Sequence, residues 1–483
     1  MHIQHFIDGK FVDSLSGKTF ETINPATGEV LATVAEGGVE DAALAVAAAH
    51  KAFEEGPWPR MRPAERAAIL RRMADGIDKR REEIASFESK DMGKPIRESL
   101  NFDLPRVAHN FRFFGEFAEI GHTEAFDRKV DLMYVLREPA GVAALITPWN
   151  FPLMLATWKV APCLAFGNTC VLKPAEQSPI TASLLAEVAA EAGLPPGVLN
   201  VLHGFGPDAA GEAIVTDPRV HMVSFTGETG TGKAIMKAGA DTLKRLSFEL
   251  GGKSASIVFE NADMDAAIKG NIDGIFRNQG EVCLAGSRML VQRPIYEEFV
   301  GRFVEAAQAL KVGDPLDPAT EVGPMVTAEH LQKVLGYVEI GVEEQATLLT
   351  GGKKPTGLPG SLANGTFVEP TVFGNANNGM RIAREEIFGP IQVIIPFDNE
   401  EEAVAIANDS RYGLAGMVWT QNLKQAHRVA AAVRTGTMWV NCFFVRDLRV
   451  PYGGYKDSGI GREGGQYSRD FYTEAKTVVI NLQ

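Results

Sequence analysis

The sequence predicts an α/β protein with a doubly wound parallel sheet, a second α/β region following it, and a small β unit built from two distant strands. Three observations lead there. From Gly141 onward, short apolar runs alternate with amphipathic helical patterns, which is how a parallel sheet wrapped by helices reads. The chain has 483 residues, enough for about three domains. Two strand-like stretches, Ala125–Arg137 and Thr473–Leu482, belong to neither alternating block. Such a strand completes a sheet elsewhere or pairs with another subunit.

Taken in order, the first segment, to about Phe20, reads as short strands around a turn at Asp8-Gly9. Val39–Glu55 and Arg62–Glu83 read as amphipathic helices. In the second, Ile69, Leu70, Met73, Ala74 and Ile77 recur at three- and four-residue spacing, and Arg71, Arg72, Asp75 and Lys79 take the other face. Arg106 to Ile120 continues in the same style. Five apolar runs follow: Val142–Ile146, Thr169–Leu172, Val198–Leu202, Val220–Phe225 and Ser254–Phe259, with a helix at Thr181–Glu191. Sheets of this kind bind ligands, usually nucleotides, at the carboxyl ends of their strands. A second alternating region runs from about Gly251 to Val440, with helices at Ile295–Leu310, Ala328–Glu343, Glu400–Asn408 and Lys424–Val433.

Composition narrows the function. Acidic residues outnumber basic ones 61 to 48, which disfavours a nucleic-acid partner. No run of about 18 uncharged apolar residues occurs, so no membrane span is expected. The N-terminus lacks a basic segment followed by an apolar one, so no signal peptide is expected. Four scattered cysteines, Cys163, Cys170, Cys283 and Cys442, form neither a disulfide framework nor a zinc pair. A reducing, cytoplasmic setting and no bound metal are the expectations.

Five motifs carry chemistry. Gly204-Phe205-Gly206-Pro207-Asp208-Ala209 after a strand fits a dinucleotide fingerprint, although ordinary turn glycines read the same way. Gly227-x-x-x-x-Gly232-Lys233 imitates a P-loop, but Ala234 stands where a magnesium-binding hydroxyl is needed, and the Glu228 carboxylate opposes a triphosphate. A helix N-terminus carrying a diphosphate remains open. Lys173-Pro174-Ala175-Glu176 ends a strand with a carboxylate suited to two ribose hydroxyls and hostile to a 2′-phosphate; a solvated ion pair is the plain alternative. Cys283 lies beside a turn-like Asn278-Gln279-Gly280, which favours an accessible thiol, whereas the other cysteines sit in apolar runs. Glu249, between apolar residues and a glycine pair, is either a general base raised by burial or a turn cap.

The order of the motifs says more than any one of them. Pro148-Trp149-Asn150-Phe151-Pro152, Lys173-Pro174-Ala175-Glu176, Phe225-Thr226-Gly227, Glu249-Leu250-Gly251-Gly252-Lys253, Gly280-x-x-Cys283, Glu386-Ile387-Phe388-Gly389-Pro390 and Pro451-Tyr452-Gly453-Gly454 follow one another as in the aldehyde dehydrogenase superfamily, which the whole chain resembles from Asn24-Pro25-Ala26-Thr27-Gly28 to the terminal strand. The resemblance implies oxidation of an aldehyde to an acid with NAD. It implies an NAD-binding domain of residues 1–123 and 138–250, a catalytic domain of 251–440, and oligomerisation strands at 124–137 and 463–483 that build a homodimer or homotetramer. It makes Cys283 the nucleophile, Glu249 the general base and Asn150 the oxyanion donor. Thr147, Trp149, Lys173, Glu176, Gly206, Phe225, Gly227, Glu228, Leu250, Glu386 and Phe388 become cofactor residues. Family members commonly carry a small residue where Glu228 stands. Relatives that pass the acyl group to coenzyme A lack the glutamate, so Glu249 points to hydrolysis.

More narrowly, the chain is similar to the semialdehyde dehydrogenases of aromatic meta-cleavage, through His203-Gly204-Phe205-Gly206-Pro207-Asp208, Phe225-Thr226-Gly227-Glu228-Thr229-Gly230, Arg446-Asp447-Leu448-Arg449 and Leu104-Pro105-Arg106. This implies a small-molecule semialdehyde bearing a carboxylate, held by Arg106 and Arg446 with Phe151 and Trp158 as apolar walls. The plain alternative pairs the arginines with Asp103 or Asp447. Outside this group, a broad-specificity or betaine-type aldehyde dehydrogenase is the competing expectation. Outside the family, a non-enzymatic role or a nucleotide triphosphatase would be.

Overall fold

The computed structural model describes residues 1–483, organised around two large sheets. The first has eight strands. Its centre is five parallel strands in the spatial order Arg245–Glu249, Val220–Thr226, Val142–Ile146, Thr169–Lys173, Leu199–Val201. The chain order reverses on either side of Val142–Ile146, so the carboxyl ends of that strand and Val220–Thr226 frame the switch-point crevice. Antiparallel strands extend the edges: His5–Ile7 and Lys10–Val12, joined through the Asp8-Gly9 turn, on one side, and Gly459–Ile460 on the other. Completely apolar strands such as Val142–Leu145 are buried on both faces, as a helix-wrapped parallel sheet requires.

The second sheet has seven strands, six of them parallel, with Ala255–Val258 between Arg288–Gln292 and Ala415–Trp419. Ser254–Phe259, read both as the last of the five apolar runs and as the start of the second region, belongs to this second sheet. The first sheet's place is taken instead by Arg245–Glu249, a strand whose mixed sequence Arg-Leu-Ser-Phe-Glu gave no apolar run. The chain crosses from one sheet to the other through Leu250–Ser254.

The stray strands do find each other. Thr473–Asn481 pairs antiparallel along the whole of Asp131–Pro139, and Ala125–Asp127 adds a third strand. Of residues 463–483, however, Gly465–Tyr472 is a helix packed on the Pro152–Ala165 helix, not strand. Near the N-terminus, His2–Ile3, Val30–Ala35 and Thr19–Ile23 make a small sheet of their own. The helix expected over Arg62–Glu83 is two, Pro63–Lys79 and Arg81–Met92, divided at Arg80. The expected apolar stripe is buried all the same: Leu70, Met73, Ala74 and Ile77 are at most 1% exposed. No helix is long and apolar enough to cross a membrane.

Candidate active site

The carboxyl ends of the first sheet open into two joined cavities. One, of about 450 Å³, lies over Lys173, Glu176, Gly206 and Phe225; the other, of about 380 Å³, reaches Asn150, Glu249, Cys283 and Glu386. Pro148, Trp149, Gln177, Thr226, Gly227 and Glu228 border both. The elongated cleft has the shape a dinucleotide needs. Gly206 lines the first cavity, with open space where a Cβ would stand. Thr147 continues the central strand, its N–H donating to the Lys173 carbonyl at 3.1 Å. The Lys173 ammonium is buried 3.6 Å from the Glu176 carboxylate and donates to the Pro174 carbonyl; burial lowers its pKa, against the pull of Glu176. Leu250 packs so closely on the Thr229–Ala238 helix that a Cβ at Gly232 would meet its Cδ2 at 2.8 Å.

The P-loop likeness fails here. Lys233 is exposed and lies 3.4 Å from Asp457, leaving it no phosphate role, and Glu228 precedes the helix without capping it. At the inner end, the Trp149 ring meets His330 and Phe388 edge-on, both at 5.3 Å. His330 also bonds the Phe388 carbonyl at 2.7 Å, and Phe388 is held in left-handed backbone (φ 63°).

Cys283 sits on the loop between the Met264–Phe276 helix and the Arg288–Gln292 strand, half-buried and facing the cleft. Burial pushes its thiol up to about 12, with Glu386 and Glu249 adding negative charge; Arg446 and the Tyr452 hydroxyl act the other way. The Asn150 amide donates to the Glu281 carbonyl at 2.8 Å, which uses one of its two protons. Glu249 ends its strand only 3% exposed, with neither carboxylate oxygen hydrogen-bonded. Burial, reinforced by Glu463, holds its pKa well above the ordinary carboxylate value. An unpartnered buried carboxyl beside a thiol is what a poised base requires; it caps no turn. Glu386 accepts the Gly252 N–H at 2.9 Å and is raised by burial to about 7. Gly251 leaves it room, since a Cβ there would fall 2.1 Å from Glu386 Oε2 and displace that carboxylate.

A further cavity of about 330 Å³ contains Arg106, Trp158 and Arg446. The Arg446 guanidinium lies over Tyr452 at 3.7 Å and Trp158 at 4.4 Å, and its buried Nη2 has no partner. Arg106 lies over Phe102 at 3.9 Å and donates to the Phe444 carbonyl at 3.2 Å. Burial, then the nearby Arg446, lowers its pKa to about 10. Neither arginine pairs with an acid: Asp447 is bound by Arg449 at 2.6 Å, and Asp103 by Lys94. Phe151, expected as a wall, does not line this cavity; it is buried under the Lys94 ammonium at 3.9 Å and beside Phe444.

Sequence reasoning missed a buried triad behind Glu249. Lys159 donates to Ser224 and to Glu463, each at 2.9 Å. Lys159 did leave a signal, a lone cation in an apolar helix; Glu463 left none. It also missed His330 and Glu281, whose carboxylate accepts the Val326 N–H at 3.0 Å.

Residues 11–478 match the aldehyde dehydrogenase family. The chain is 49% identical to a 2-hydroxymuconic semialdehyde dehydrogenase of Pseudomonas sp. strain CF600, over 99% of both chains. It is also 49% identical to a 5-carboxymethyl-2-hydroxymuconate semialdehyde dehydrogenase of Escherichia coli, over 96% of this chain and 98% of that one. The structure is similar to an NAD+ complex of an aldehyde dehydrogenase from Bacillus cereus, with a TM-score of 0.97 and 45% identity over all of this chain and 97% of the other.

Proposed function

The chain belongs to the aldehyde dehydrogenase family, and we propose that it oxidises a carboxylate-bearing semialdehyde of the 2-hydroxymuconate type to the acid, with NAD as its cofactor. The observation that carries the substrate class is the arginine pair: two guanidiniums in one cavity, neither matched by a protein carboxylate. Arginine holds a carboxylate through two parallel hydrogen bonds. A neutral aldehyde would leave Arg446 as unpartnered as it is now.

Cys283, as thiolate, attacks the aldehyde carbon. The Asn150 amide and the Cys283 backbone N–H stabilise the oxyanion of the thiohemiacetal, and one such donor is worth roughly 3 kcal/mol of barrier. Bound NAD supplies the acceptor for the hydride that leaves this carbon, so that a thioester remains on Cys283. Glu249 takes a proton from water, which cleaves the thioester to the free acid. Lys173 and Glu176 hold the adenine ribose and Glu386 the nicotinamide ribose. Trp149, Thr147, Phe225, Gly206, Gly227, Glu228, Leu250 and Phe388 shape the cofactor cleft.

We place the enzyme in the cytoplasm, with all four cysteines free, and assign the Asp131–Pro139 and Thr473–Asn481 ribbon to a homodimer or homotetramer. The test is a substrate panel with NAD and with NADP, followed by coenzyme absorbance. Carboxylated semialdehydes with NAD give the highest kcat/KM; equal rates for neutral aldehydes refute the substrate class, and no reduced coenzyme with any aldehyde refutes the reading.

A further inference from the structure

We propose that Asn278 is a positioning residue that registers the two oxyanion donors, the Asn150 amide and the Cys283 backbone N–H, against each other; this rests on the roles given above to Asn150 and Cys283. The two donors come from different halves of the molecule. Asn150 follows a strand of the first sheet, and Cys283 belongs to a loop of the second. Packing alone leaves their separation to the fit between the halves. The fully buried Asn278 side chain spans the gap: its amide nitrogen donates to the Asn150 carbonyl at 2.9 Å and to the Glu281 carbonyl at 3.2 Å. The Asn150 amide donates to that same Glu281 carbonyl at 2.8 Å. Glu281 is two residues before the nucleophile, so the three groups close a ring in which one carbonyl fixes both side-chain amides.

The backbone is shaped to make this possible. Asn278, Gln279 and Gly280 are all left-handed, with φ of 48°, 45° and 75°. Asparagine tolerates that region better than other side-chain-bearing residues. The half-buried Glu98 carboxylate accepts the Asn278 N–H at 3.2 Å. Glu281, in turn, is held by the Gln279 amide at 3.0 Å and by the Val326 N–H. Gly280 admits no Cβ, which would fall 2.3 Å from the Gly389 carbonyl. Strained backbone that its surroundings over-determine is found where a group must be held in place. Asn278 touches neither the aldehyde nor the thiol; it acts only by holding Asn150 in register with the loop.

The test is a double-mutant cycle on the full chain. Asn278→Gly suits the positive φ and removes only the tether; Asn278→Asp keeps the shape but offers the two carbonyls no N–H. Both lower kcat on the order of 10²-fold, the effect of a small misplacement at a reacting centre, while the NADH dissociation constant from fluorescence titration stays at the wild-type value. Asn150→Ala loses 10²–10³-fold, about the loss of one oxyanion donor. Asn150→Ala combined with Asn278→Gly falls no further than Asn150→Ala alone, because the tether has nothing left to position. Wild-type kcat in both Asn278 variants overturns the proposal, as does a double mutant whose losses multiply. If Asn150→Ala is itself as active as wild type, the oxyanion assignment fails, and the tether with it.

Discussion

A guanidinium N–H buried without an acceptor has lost its water and gained little in return. Arg446 is in that position, stacked on Tyr452 and Trp158 with Nη2 unpartnered; an incoming carboxylate completes it. Hydrogen bonds to a charged group are worth about 1.5–3 kcal/mol, so Arg446→Ala raises KM for a carboxylated semialdehyde roughly ten- to hundredfold and leaves a neutral aldehyde nearly unchanged. Arg106→Ala does the same more weakly, since one of its nitrogens already serves the Phe444 carbonyl. Equal losses on both substrates in steady-state assays would make the arginines structural. The acids at the reacting centre set the pH behaviour. Burial raises both the Cys283 thiol and the Glu249 carboxyl, and both act deprotonated. Raised pKa values carry the inactive protonated forms up to and beyond neutral pH, so kcat/KM climbs with pH through neutrality; a profile that falls over that range would contradict the assignment.

At the scale of elements, legibility followed burial. Helices with a clean apolar stripe were readable to within a few residues, and Ala328–Glu343 and Glu400–Asn408 agree at both ends. The parallel strands were readable because burial on both faces makes them continuously apolar. Arg245–Glu249 was not, because it alternates polar and apolar residues and on its outer side meets only a two-residue edge strand; without it, Ser254–Phe259 read as the fifth run of the first block as well as the start of the second. For the site, the motif order carried residue identities, yet nothing local reveals that Arg446 lacks a partner or that Asn278 reaches Asn150, since both are facts of tertiary placement. The crossover at Gly251-Gly252 is another. It is glycine because the strand end passes Glu386 on one side and the Cys283 carbonyl on the other, where a Cβ at Gly252 would fall at 2.3 Å. Gly251→Ala must push Glu386 aside. Its NADH dissociation constant in a fluorescence titration therefore rises about tenfold or more, taking about 1.4 kcal/mol as one lost contact, while the melting temperature shifts little. Unchanged coenzyme affinity would remove Glu386 from the cofactor site.

At the scale of the whole molecule, the three-stranded sheet of Ala125–Asp127, Asp131–Pro139 and Thr473–Asn481 carries exposed apolar side chains, with Phe126 55% and Val479 57% exposed. Apolar surface of this kind is usually covered by a partner. Val479→Asp with Phe126→Asp therefore lowers the mass in sedimentation equilibrium to that of one chain; a wild-type chain that is already monomeric would contradict the assignment. The two large sheets have a different task, bringing a thiol from one to the cofactor cleft of the other. The most direct test of that central claim is a single-turnover experiment on Glu249→Gln, in which thioester formation is preserved and hydrolysis is not. Mixed with NAD and a carboxylated semialdehyde, it should release one NADH per chain in a rapid burst, and intact-mass and peptide analysis should find the acyl group on Cys283. Steady turnover at the wild-type rate, or an acyl group on any residue but Cys283, would contradict the account.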